Sequence, residues 1–347
     1  MKIVHALRGF EATSGISLFV SEILGRQICA GNDCTFVYQR ALEYPLDERA
    51  HVVQSDGDLD VLGFIPDVVH LHSIWTPFSV RVMWWCRRHR VPYVVSIHGC
   101  LMPWVLRRGW IKKRVFLEVF LRRSIELALA VHVTTHLEAE ACRKIGIKNI
   151  LVELPLGVNI PSSVEHGEKF SKTLLFLSRI SPEKGLVNLL DAWKMIDHKA
   201  WKLVIAGPDW FSHRVELEKK VAAEMIEDVS FTGAVFGDDK DAAYRAADGF
   251  VLPSYTENFS AVVADALVYG VPVIATKGTP WKCLVERQCG WWVDIGVEPL
   301  KTALQELIHL DRDELCKMGS RGRQYAIEHF NWDSTSSELL KVYRNVK

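Results

Sequence analysis

The chain has 347 residues, 49% of them hydrophobic and 24% charged, with 42 basic side chains against 42 acidic ones. That length exceeds what one hydrophobic core usually supports, so two domains of similar size are expected. No run of about 20 residues is apolar enough to span a bilayer, and Met1-Lys2-Ile3-Val4-His5 reads as a first strand rather than a signal peptide, which predicts a cytoplasmic protein; eight scattered cysteines with no C-x-x-C pair disfavour a disulfide framework and a structural zinc site.

Apolar runs of four to seven residues alternate with amphipathic segments, the rhythm of parallel sheets with crossover helices. In the first half, strands are predicted over residues 2–7, 35–39, 67–72, 93–98, 130–134 and 150–153, and helices over 16–30, 78–90, 112–128 and 137–145. The polar insert 47–60 is predicted to be a loop. From Arg81 to Arg123 there are eleven Lys or Arg and one acid, Glu118, with aromatics interleaved from Trp104 onward. Two readings stand for this run. It is either a solvated basic helix with an apolar core side, or a surface lying on anionic lipid headgroups with Trp104 and Trp110 at the interface. Nucleic acid is not expected as a partner, because no recognition motif accompanies the charge.

The segment 161–169 has no periodicity, is rich in breakers and reads as a linker. It separates a domain of residues 1–160 from one of residues 161–330. Beyond it, strands are predicted over 173–178, 202–206, 229–232, 249–253 and 272–275, with helices near 186–196, 215–226, 239–246 and 259–268 and a mostly helical end from 298 to 343. Two doubly wound α/β units joined in this way would bind ligands in a cleft at the carboxyl ends of both sheets.

Four constellations fall at such strand ends. The loop Arg8 to Ser17 leads into a helix, where Gly15 would permit an anion to approach free N–H groups; a tight turn explains Gly15 equally well. In Ser178-Arg179-Ile180-Ser181-Pro182-Glu183-Lys184-Gly185, Arg179 and Lys184 could stabilise the charge of a departing pyrophosphate, or form a surface ion pair with Glu183. In Pro253 to Asp265, the amides of Asn258, Phe259 and Ser260 are placed at a helix start. Glu257 and Asp265 lie about two turns apart and could face one ligand, and Asp265 is an acid set in a nearly apolar helix. His98, in Ser96-Ile97-His98-Gly99-Cys100, ends a first-domain strand, where a histidine is as often structural as catalytic.

Together these residues resemble glycosyltransferase family 4, the retaining sugar transferases of GT-B fold with two Rossmann-like domains. The resemblance runs through the whole chain. Its most specific parts are Arg179 with Lys184, and the acid-x7-acid segment Glu257 to Asp265 followed by Ala266 to Ala275. Ala206-Gly207-Pro208, Phe231-Thr232-Gly233 and Pro155-Leu156-Gly157-Val158 support it. It implies that Arg179 and Lys184 hold the donor diphosphate, Glu257 the donor sugar and Asp265 the ribose, with Gly15, Gly207, Gly233, Asn258, Phe259 and Ser260 around the donor. His98 would sit by the transferred sugar. Two departures are visible: Asp265 stands where the family usually has Glu, and Asn258 and Ser260 where it usually has Gly. The ending Phe330-Asn331-Trp332-Asp333 is similar to the family's last helix, which assigns residues 331–347 to the first domain.

The reading is a retaining hexosyltransferase taking a nucleoside diphosphate sugar to an acceptor hydroxyl. Thr279-Pro280-Trp281 and Gly290-Trp291-Trp292-Val293-Asp294 look like bacterial surface-polysaccharide enzymes, and the basic run 81–123 lies in the first domain, which holds the acceptor in this family, so the acceptor expected is a lipid-linked glycan at the inner face of the cytoplasmic membrane. Asp56-Gly57-Asp58 lies in the polar insert and two cations already offset the phosphate charge, so neither a metal nor another cofactor is expected. The rival readings are a nucleotide-sugar epimerase of the same architecture and a non-catalytic nucleotide-sugar binding subunit.

Overall fold

The computed structural model describes residues 1–11, 14–107, 109–161 and 170–345. Ala12 and Thr13 of the opening loop, Arg108 of the basic run, residues 162–169 of the linker segment and the last two residues of the tail lie outside the described residues.

By contacts, the chain divides into two compact units, Met1–Gly157 with Asn331–Lys347, and Val158–Phe330. The first holds seven parallel strands: β1 (Lys2–Phe10), β2 (Asp33–Leu42), β3 (His51–Gln54), β4 (Val68–His72), β5 (Tyr93–Ser96), β6 (Ala130–Val133) and β7 (Leu151–Glu153), in the order β3-β2-β1-β4-β5-β6-β7. Its central strands are mostly apolar because helices cover both faces, and every residue of β4, β5 and β6 is buried, His70, His72, Ser96 and His132 included. The last helix, Trp332–Arg344, packs here, with Trp332 against Gly157 and Phe19.

The second unit holds β8 (Thr173–Leu177), β9 (Lys202–Ala206), β10 (Val229–Gly233), β11 (Gly249–Leu252), β12 (Val273–Thr276) and β13 (Gly290–Val293), all parallel, in the order β10-β9-β8-β11-β12-β13. In both sheets the order reverses beside the first strand, at β1/β4 and at β8/β11. A doubly wound sheet opens a crevice at the carboxyl ends of such a strand pair.

Several expectations are corrected. The insert 47–60 is not all loop: β3 lies in it, held as an edge strand by backbone pairing to β2 (Thr35 opposite His51) with three of its four residues exposed, so no apolar pattern marks it. The edge strand β13 was likewise hidden, since its aromatic sequence is only half-buried. The helix predicted over 112–128 runs without a gap from Trp110 to Glu126, with a π-helical stretch at Leu117–Leu121 inside it. The helix predicted from 259 begins at Ala261, because Ser260 adopts a left-handed conformation (φ 66°) and serves as its N-cap. His98 lies beyond β5, also left-handed at φ 50°, in a turn completed by Gly99.

Candidate active site

In the second unit the switch point brings together residues that lie 73 positions apart in sequence. The chain leaves β8 through Ser178 and Arg179, makes a 3-10 turn at Pro182–Lys184, and enters the helix Leu186–Lys194 through Gly185. Gly185 has φ 70°, and a Cβ there would fall 2.1 Å from the Pro253 carbonyl oxygen, so only glycine lets this turn close on the end of β11. The Tyr255 amide donates to the Glu183 carbonyl at 2.9 Å, tying the two loops together.

Across that seam the Lys184 ammonium donates to Glu257 Oε1, with side-chain exposures of 7% and 12%. The same oxygen accepts from the Ser254 hydroxyl at 2.7 Å, and the Glu257 amide donates to the Gly278 carbonyl at 2.8 Å. A nearly buried ion pair is tolerated where further hydrogen bonds help to hold it, and here Ser254 and the Gly278 carbonyl fix Glu257. Arg179 is exposed and lies over the Trp210 ring, 4.6 Å from its centroid. Among the described residues no ion pair joins it to Glu183 or Lys184.

The other acid, Asp265, is neither free nor shared with Glu257. It is partly buried on the helix Ala261–Val268 and pairs with Lys240 at 2.8 Å. Phe259 is committed to an aromatic cluster with Trp281 and Phe330, ring centroids 5.4 and 5.3 Å away, so it can offer a ligand only its backbone. With the helix starting at Ala261, the amides of Asn258 and Phe259 belong to the loop before it. The Ser181 and Ser260 hydroxyls are buried without a hydrogen-bond partner. Gly207 has a structural reason to be glycine: a Cβ would lie 1.7 Å from the Ser178 carbonyl oxygen. Its amide donates to the Gly233 carbonyl at 2.7 Å, and Gly233 itself has φ 83°.

In the first unit Gly15 opens the helix Gly15–Cys29, with Ser14 as N-cap, and a Cβ on it would meet open space. His98 is held by two anchors. The buried Glu138 carboxylate accepts from the Gly99 amide and, at 2.6 and 3.0 Å, from the Thr134 amide and hydroxyl, which fixes the turn. His98 Nε2 meets His72 Nδ1 at 3.1 Å. Behind it stand four more buried histidines, His5, His70, His72 and His132. Burial pushes His5 and His132 down to about 4 and His98 to about 3, and pushes His70 and His72 well below 6.5, with neighbouring histidines adding to it at His70, His72 and His98.

Nitrogens of His5, His70 and His72 lie within 4.8 Å of one another, close enough to share a metal ion. Each is already engaged, however: His5 with His72 at 3.0 Å, and His70 with Tyr343 and Ser96. A metal would have to displace those bonds in a sealed interior. The sequence reading missed this group, along with Ser254, Trp210, Lys240 and Glu138. The two histidines of β4 are two apart and so share a sheet face, a signal that was available; the others are lone residues on separate elements.

A family model described as glycosyl transferases group 1 matches residues 162–325, and one described as a glycosyl transferase 4-like domain matches residues 34–157. The phosphatidyl-myo-inositol mannosyltransferase of Mycobacterium leprae is 28% identical over 309 residues, 84% of this chain and 75% of that protein. A GDP-mannose-dependent alpha-(1-6)-phosphatidylinositol monomannoside mannosyltransferase of Mycobacterium tuberculosis is 31% identical over 188 residues, 50% of this chain and 47% of its own length. Among solved structures, the sucrose-phosphate synthase of Thermosynechococcus elongatus superposes with a TM-score of 0.80 at 18% identity, over 99% of this chain and 98% of that one. Anabaena HepE in complex with UDP and glucose superposes with a TM-score of 0.79 at 18% identity, over all of both chains. At that identity the likeness shows the fold, and the fold is GT-B.

Proposed function

This chain belongs to glycosyltransferase family 4, and we propose that it moves a hexose from a nucleoside diphosphate sugar to an acceptor hydroxyl with retained anomeric configuration. The observation that carries this reading is the Lys184–Glu257 pair at the switch point of the second sheet. Lys184 has three donors and commits one to Glu257, which leaves N–H groups for a diphosphate oxygen. Among the described residues Arg179 is held only by Trp210, and it can swing to the same anion. Fixed cations stabilise the charge that builds on the diphosphate as its bond to the sugar carbon breaks. Glu257, anchored through Oε1, keeps Oε2 for a sugar hydroxyl, and Asp265, oriented by Lys240, accepts from the ribose hydroxyls.

Lys184→Ala is expected to raise the barrier by about 2.7 to 4 kcal/mol, a loss of roughly two to three powers of ten in turnover. Near-normal turnover would remove Lys184 from the reaction, and the anomeric configuration of the product, read by NMR, tests retention. Two cations already offset the phosphate charge, so activity is expected to survive EDTA; its loss, restored by a divalent ion, would contradict that. Donor binding without consumption under any acceptor would leave a binding subunit, and release of an epimerised free donor would leave an epimerase.

For the acceptor we propose a lipid-linked glycan intermediate of cell-surface polysaccharide synthesis, met at the inner face of the cytoplasmic membrane. No helix among the described residues is long and apolar enough to cross a membrane. In the basic run, however, Trp110 and Ile111 are 62% and 65% exposed, beside Trp104, Val115, Val119 and Phe120, which suits insertion among anionic headgroups. Two of the relatives above act on phosphatidylinositol lipids by name. Co-sedimentation with anionic vesicles at low salt, lost with neutral vesicles, is the expected result.

A further inference from the structure

The buried histidines form two hydrogen-bonded rows. One runs Gln27 Oε1, His5, His72, His98, with contacts of 2.8, 3.0 and 3.1 Å. The other runs Tyr343, His70, Ser96, His132 and the Leu154 carbonyl; its last three contacts are 2.6, 2.6 and 2.9 Å. Every imidazole in both rows is neutral near pH 7, because burial opposes the charged form. A neutral imidazole has one N–H and one bare nitrogen, so fixing one contact fixes the next.

The Leu154 carbonyl can only accept. His132 therefore carries its proton on Nε2 and leaves Nδ1 bare. The Ser96 hydroxyl donates to that nitrogen and accepts from His70 Nε2–H, and His70 Nδ1 then takes the Tyr343 hydroxyl proton. The Tyr343 oxygen is left with lone pairs only. In the other row Gln27 Oε1 lies 2.8 Å from His5 Nε2 and can only accept, so His5 donates from Nε2. His5 Nδ1 then accepts from His72 Nε2–H, and His72 Nδ1 from His98 Nε2–H. His98 Nδ1 has no partner among the described residues.

We propose that the Gln27 amide, acting through His5 and His72, sets His98 as a fixed acceptor whose bare Nδ1 takes a neutral hydroxyl and rejects an anionic oxygen. Gln27 is a positioning residue in this arrangement. The assignment of the hydroxyl to the transferred sugar rests on the function proposed above; the tautomer does not.

The test is made on the full-length chain carrying 15N-labelled histidine, with His98 assigned by its loss in His98→Asn. Long-range 1H–15N correlations at about pH 7 are expected to show all five cluster histidines, His98 included, as the Nε2–H tautomer. An Nδ1–H or imidazolium form of His98 in the native chain overturns the proposal without any variant. In Gln27→Leu an Nδ1–H fraction is expected to appear at His98, two imidazoles away, while Gln27→Glu, which still accepts from His5, restores the single form. No change in Gln27→Leu overturns the relay. Even an equal mixture of tautomers would weaken binding through His98 only about twofold, so the spectrum and not the rate is the decisive readout.

Uridine and guanosine diphosphate hexoses are then compared with the bare diphosphates. The His98 Nδ1 resonance is expected to move with a diphosphate hexose and not with the diphosphate alone; a response to the bare diphosphate, or to neither, overturns the hydroxyl assignment. Correct tautomers in a chain that transfers no sugar would sink the proposed activity and leave the relay standing. Turnover with His98 in the other tautomer would do the reverse.

Discussion

In the first unit the polar side chains behind the switch point are neutral: five histidines, a tyrosine, a serine and a glutamine form two hydrogen-bonded rows, one ending on the Gln27 side-chain oxygen and the other on a backbone carbonyl. In the second, polarity at the equivalent switch point takes the form of ion pairs, Lys184 with Glu257 and Lys240 with Asp265. The two sheets share one strand order through their first six strands. Topology therefore decides where polar side chains gather, and residue choice decides whether the gathering responds to protons or to charge. A neutral row is exposed to acid, because a protonated imidazole has no lone pair to give its neighbour. An ion pair is exposed to deletion of one partner.

Acid should separate the units most sharply. The folded pKa values of the four fully buried histidines lie below the unfolded value of 6.5. The unfolded chain therefore binds more protons than the native one as pH falls through 6.5. The stability they contribute is full above that pH and is lost on the way down toward the folded values near 4. Each adds about 1.4 kcal/mol per pH unit, roughly 5 kcal/mol per unit for four. Phe19 and Trp332, which pack against the rows, carry no charge that could offset this. Pulse labelling of buried thiols should show Cys34, Cys86 and Cys142 of the first unit opening at about pH 5.5, while Cys289 of the second stays protected. Equal labelling would mean that the comparison is wrong.

The second unit should fail differently. Lys184→Met leaves Glu257 as a nearly buried charge without its partner, which costs about 3 kcal/mol; the low end of the usual range applies because Ser254 still donates to it. Adding Glu257→Gln should recover most of that stability, measured by urea unfolding, and none of the turnover. Recovery of neither would show that the pair acts through something other than charge balance. Glu138→Gln in the first unit is milder. One acceptor oxygen becomes an N–H₂ facing the amides of Gly99 or Thr134, a loss of about 1 to 3 kcal/mol, and the melting temperature should fall with broadening of the His98 resonance.

How far these differences could be read in advance follows from their geometry. Arg179, Lys184 and Glu257 could be placed at strand ends because each sits in a short run where local sequence and topology coincide. The central strands were legible because burial on two faces demands mostly apolar residues, interrupted in the first sheet by His5, His70, His72 and His132. The histidine rows were not: they join six elements, β1, the helix Gly15–Cys29, β4, β5, β6 and the last helix, and no spacing rule relates His5 to His132 or Gln27 to Tyr343. Lys240 was missed for the same reason, lying 25 residues before the acid it orients. At Gly207 the sequence does not show the steric reason for glycine, which is that the Ser178 carbonyl leaves no room there for any side chain.

The smallest expected effect probes how firmly the exposed arginine is held. Arg179 lies over Trp210 at 4.6 Å, and both side chains face solvent, which limits a cation–π contact to about 0.5 to 1 kcal/mol. If the ring holds the guanidinium ready for the diphosphate, Trp210→Ala should raise KM for the donor about two- to fivefold with little change in kcat, because the contact aids donor binding and the departing charge alike. If instead the ring competes with the diphosphate for Arg179, the same substitution should lower KM. Trp210→Phe, which keeps a weaker aromatic face, should lie between the alanine variant and the native chain in either case. The sign of the change thus decides whether this arginine, unlike Lys184 with its buried partner, is prepared for its ligand or must be released to it.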